Sequence, residues 1–210
     1  CCFNGSLCAQ SDAQIYERTC DAKTYPFSDP SPVATPNNSY YPYFRFDGFS
    51  MQAQEKQWKM VVLENDYVKL TVTPEIGGKI WGAIDKVNNK EFVYTNGVVK
   101  FRDVAMRGPW TSGGIEFNFG IIGHAPTCST PIDYLTKKNV DGSVSCHIFS
   151  YEWITRTVWN VEINLPKDKA YFTTHTTWFN QSSIDQPYYQ WMNAGYATKT
   201  GTRFYYPGTY

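Results

Sequence analysis

Apolar and polar residues alternate along much of the chain with a period of two, which places them on opposite faces of a β-strand. Val68, Leu70 and Val72 alternate with Lys69, Thr71 and Thr73, the mark of a half-buried antiparallel strand. From Trp58 onward the pattern predicts three strands, Trp58–Glu64, Tyr67–Thr73 and Lys79–Asp85. Asn65-Asp66 makes the first turn, and Pro74-Glu75 with Gly77-Gly78 makes the second. Val87–Lys90 turns into a further strand at Glu91–Tyr94. Later, Ile132–Asn139 and Ser143–Glu152 flank Asp141-Gly142, a strong hairpin signal. Trp153–Leu165 continues the sheet, a PKDK turn leads into Ala170–Asn180, and Tyr188–Ala194 follows. No segment sustains a helical period, so the expected fold class is all-β and antiparallel. No repeat of about 20–50 residues is visible, which argues against a propeller or solenoid.

Residues 1–57 break this texture. Tyr25–Pro42 holds five prolines, which block ladder bonding and favour extended backbone. Residues 21–57 are therefore expected to form a surface linker that docks its aromatics, ending in a short strand at Tyr43–Phe49. Residues 58–210 form the β domain. The first residue is Cys, and CCFNGSLCAQ has the look of either the tail of a secretory signal or a lipoprotein N-terminus. Both readings of residues 1–20 imply an exported protein, periplasmic or at the cell surface. In that setting Cys128 and Cys146 are either a disulfide or two buried thiols.

Composition changes the picture in one respect. Charge is balanced, 19 basic against 19 acidic residues, so nothing points to nucleic acid. No apolar run is long enough for a membrane span. Aromatics make up 17% of the chain, with 16 Tyr and 7 Trp. Strands alone favour aromatics. The same residues also suit a carbohydrate partner, mono- or oligosaccharide, because pyranose C–H faces pack on aromatic rings.

The candidate chemistry concentrates in Arg107–Thr127, where five glycines accompany an arginine, a tryptophan, one carboxylate and one histidine. A strand at Ile115–Phe119 would turn Ile115 and Phe117 to one face and Glu116 with Asn118 to the other. Such an acid–amide pair can grip hydroxyls or move a proton; the plainer alternative is a carboxylate satisfied by Arg107 or by backbone amides. His124, after Gly123, sits in a loop and reaches Glu116 only if Gly120–Gly123 turns sharply. Glu116 and His124 are the candidate catalytic residues. Arg107, Trp110, Asn118, His175 and Asn193 are candidate substrate-binding residues, and His175 would complete a Glu/His/His set. The spacing matches no zinc pattern, and no cofactor is expected. Gly77-Gly78, before Lys79, read as the turn, Trp81 and Trp191 as core, and Glu152 with Arg156 as a structural pair on one strand face.

Three landmarks, TPEIGGKIWGAIDK (73–86), SGGIEFNFGIIGHAPT (112–127) and DYLTKKNVDGSVSC…YEWITRTVW (133–159), resemble a bacterial domain-of-unknown-function family found in polysaccharide-degradation proteins. That family is similar to the galactose mutarotase-like superfamily. The resemblance implies an antiparallel β-supersandwich with a sugar site, often preceding helical repeats. It leaves open a glycoside hydrolase, an aldose epimerase-like enzyme or a non-catalytic binding module. It also implies more strands than follow Trp58, so C-terminal sheet partners are expected outside this sequence.

Overall fold

The structure, a computed structural model, describes residues 11–27, 48–103, 109–119, 124–152 and 155–208. Its strands are β1 Gln14–Tyr25, β2 Gln54–Glu64, β3 Val68–Thr73, β4 Lys79–Asp85, β5 Lys90–Val93, β6 Val99–Lys100 and β7 Arg102–Asp103. They continue with β8 Pro109–Trp110, β9 Ile115–Phe119, β10 Asp133–Lys138, β11 Val144–Glu152, β12 Thr157–Leu165, β13 Thr173–Asn180 and β14 Gln190–Ala194. The only helical turn among the described residues is a 3-10 turn, Pro126–Ser129. The all-β, sandwich-like expectation holds.

One sheet runs β14-β9-β4-β3-β2-β1-β6, with β5 also on β4; a second runs β10-β11-β12-β13, and β7 pairs with β8. Pairing is antiparallel except between β1 and β6. The second sheet covers one face of the first. Leu63, Leu70, Val72, Ile80, Phe117 and Phe119 meet Val144, Ile148, Trp159, Val161 and Ile163 in one buried cluster. Phe119 stacks on Trp159 with centroids 4.4 Å apart. Their neighbours along each strand point the other way, as the two-residue period requires. On the uncovered side of the large sheet a smaller cluster forms from Trp58, Met60, Ile76, Trp81, Val99 and Phe101.

Several expectations need correction. The linker expected at 21–57 contributes instead to the large sheet at both ends, because β1 pairs with β2 over eleven residue pairs. Most of β1 is exposed. Its order comes largely from the ladder, and the alternation it carries, Cys20, Ala22 and Thr24 against exposed Asp21 and Lys23, is too short and too weakly apolar to stand out. Of the strand expected at Tyr43–Phe49, residues 43–47 lie outside the described residues, and Phe49 makes an isolated bridge to Phe27. Of Trp153–Leu165, residues 153–154 lie outside the described residues, and the strand begins at Thr157. Glu152 and Thr157 pair across antiparallel strands, and Arg156 takes a φ of 57°. Glu152 and Arg156 therefore do not share a strand face; Glu152 accepts instead from the Thr155 amide at 2.6 Å. Cys146 is a free, fully buried thiol, so the Cys128–Cys146 disulfide is not formed. Burial pushes both thiols up to about 12.

Candidate functional site

The site is organised by β9. Ile115, Phe117 and Phe119 enter the sandwich core, which forces Glu116 and Asn118 onto the uncovered face. The glycines before the strand allow it to start close to β4. Gly114 has a φ of +67°, and a Cβ there would lie 2.3 Å from the Ile80 carbonyl oxygen.

Glu116 is 2% exposed. Its Oε1 accepts from Asn118 Nδ2 at 2.7 Å and lies 2.6 Å from His124 Nδ1. Asn118 has a second task, since its Oδ1 accepts the Ala125 amide at 2.8 Å. It thus fixes the carboxylate and pins the loop segment that carries His124. The Gly120–Gly123 segment, where a sharp turn is expected, lies outside the described residues, as does Arg107. His124 keeps 17% of its side chain open to solvent.

Two indoles flank the imidazole. Trp110 meets it edge-on at 5.9 Å, and Trp191 does so at 4.8 Å. Trp191 stands opposite Asn118 in the β14–β9 ladder, and Asn193 stands opposite Glu116. Cross-strand partners share a face, so Asn193 joins the site. Trp191 is half-buried beside His124 rather than in the core expected for it. Glu116 Oε2, Trp110 Nε1 and Trp191 Nε1 are buried without a hydrogen-bond partner among the described residues.

Lys79, at the start of β4, was not read as a site residue. It is 1% exposed, and its ammonium donates to the Thr111 carbonyl and to Thr111 Oγ1. It also lies 5.8 Å from the Trp110 ring centroid. Burial pulls the ammonium below its usual range, and the nearby Glu116 carboxylate opposes that fall. The available signal was a lone charge opening an otherwise apolar strand, KIWGA.

His175 does not join the cluster. It sits on β13 opposite Glu162, whose strand neighbours Val161 and Ile163 fill the core. Glu162 and His175 thus share the outer face of the second sheet, and His147 lies 3.8 Å from Glu162 there. The whole sandwich separates this row from Glu116, so the Glu/His/His set is not assembled. Among the described residues no group of three or more His, Cys, Asp or Glu side chains is placed to hold a metal ion.

What the site can do follows from its gradient of exposure. A buried carboxylate orients a partly open imidazole through Nδ1, leaving Nε2 to meet a ligand. The imidazole can then accept or donate one hydrogen bond, or move one proton.

The fold is similar to the crystal structure of a TPR-domain containing protein from Parabacteroides distasonis ATCC 8503, with a TM-score of 0.80 and 26% identity. The match covers 88% of this chain and 32% of that one, so this chain spans about a third of the other's length. The family model described as a domain of unknown function, DUF5107, matches residues 35–210. Covering most of the sequence, that match assigns the chain to the DUF5107 family.

Proposed function

We propose that the Glu116–His124 dyad binds a saccharide, and that the domain is a carbohydrate-recognising β-supersandwich of the galactose mutarotase-like kind. The observation that carries this reading is a buried carboxylate holding a partly open histidine between two tryptophans. Glu116 is too deeply placed to meet a ligand directly and acts by positioning His124. The indoles supply the apolar surface that packs against sugar C–H groups. Asn193 adds an amide on the same face, and the unpartnered indole N–H groups of Trp110 and Trp191 add donors that a hydroxyl-rich ligand can use.

The same dyad favours a second reading, catalysis on a sugar, because a carboxylate-backed imidazole is a competent general base. Epimerase-like or glycoside-cleaving chemistry needs another acid–base group facing His124. Lys79 is close, but its ammonium is directed to Thr111. Binding is therefore the primary reading. The TPR-domain protein similar to this chain supports a place for the domain beside helical repeats.

A thermal-shift screen of uncharged mono- and oligosaccharides against the full chain tests this, followed by affinities of Glu116→Gln and His124→Ala for any hit. Each variant is expected to weaken binding at least about tenfold, the loss of one good polar contact. Unchanged affinity in both folded variants would refute the site.

A further inference from the structure

A second feature lies on the same face of the large sheet, against Trp81. It is a cavity of about 270 Å³. Met60 and Trp81 give it an apolar wall, while Arg18, Lys69, Asp21 and Glu91 line it with two cations and two carboxylates. The formal charges cancel, so the lining has no preference for an anion or a cation. An apolar wall with donors and acceptors around it suits an uncharged ring bearing hydroxyls. The volume falls just below the roughly 300 Å³ at which pockets for drug-sized ligands begin, which fits one sugar ring.

A run of hydrogen bonds links the rim of the cavity to the loop beside the Glu116–His124 site. Trp81 Nε1 donates to the Asn96 carbonyl at 3.2 Å, and Asn96 Nδ2 donates to Ser112 Oγ at 2.8 Å. Ser112 follows Thr111, the residue that holds Lys79 beside Trp110. Asn96 therefore borders the cavity on one side and the site's supporting loop on the other.

We propose that this cavity is a second sugar subsite, which takes the next residue of an uncharged oligosaccharide whose first residue rests against His124. The inference rests on the saccharide reading above and makes the ligand an oligomer rather than a free sugar.

Calorimetric titration of the full chain with glucose, galactose, mannose and xylose, and with their homo-oligosaccharides of two to four residues, tests it. For the series that binds, the disaccharide is expected to bind at least about tenfold more tightly than the monosaccharide. Thr71→Phe, which projects a ring into the cavity, should abolish that gain and leave monosaccharide affinity intact. The paired substitution Arg18→Ala with Glu91→Ala, at two exposed positions, should reduce the gain without touching the fold. Monosaccharide binding with no gain on lengthening, or a gain that survives both sets of variants, overturns the second subsite alone. Failure of every sugar at every length overturns the saccharide reading and this inference together.

Discussion

At Glu116 one carboxylate oxygen accepts from Asn118 and meets His124 Nδ1, while the other is buried without a partner among the described residues. Such a group is costly to bury, and the buried Lys79 ammonium near it offsets part of that cost. Lys79 provides a direct measure of that cost. Burial lowers its native value below 10.5, so between the two values the unfolded chain binds more protons than the folded one. Stability conferred by this position must therefore rise with pH across that window. Lys79→Met removes the titration, while the buried thiols common to both proteins cancel. Denaturant unfolding at pH 7 and pH 10 is expected to show wild type gaining on Lys79→Met as pH rises. A difference that stays flat would mean that Lys79 is not buried as an ammonium.

At the scale of elements, β9 separates the core from the candidate site by its alternation. Phe117 and Phe119 build the core, and Phe119 stacks on Trp159, whereas Glu116 and Asn118 face away. Phe119→Ala should lower the unfolding free energy by about 3–5 kcal/mol, the usual cost of deleting a buried aromatic ring. Saccharide affinity per folded molecule should stay within about twofold, because the ring lies across the sheet from His124. Chemical unfolding coupled to titration checks both. The strand itself was legible because IEFNF alternates cleanly after Gly113-Gly114. β1 was not, because its residues are mostly exposed and its partner β2 supplies the order. Lys79 and Trp191 escaped for a related reason: they reach the site only through the pairing of β4 and β14 with β9, and such non-local register leaves no mark in local pattern.

At the scale of the whole molecule, the second sheet seals one face of the large sheet and leaves the other to a small cluster, the dyad and the cavity against Trp81. This division explains why Glu116 meets His124 and His175 does not join them. Alternation fixes which residues share a strand face, but it cannot say which sheet that face belongs to. His175 alternates correctly on β13 and still ends on the opposite outer surface. The chain contains three histidines, one in the proposed site and two, His147 and His175, on that far surface. Nitrogen-15 imidazole spectra recorded while a binding saccharide is titrated into the protein therefore report on the site directly. The His124 resonances should move with the binding isotherm while those of His147 and His175 stay fixed. A silent His124, or a response from the other two, would place the ligand elsewhere.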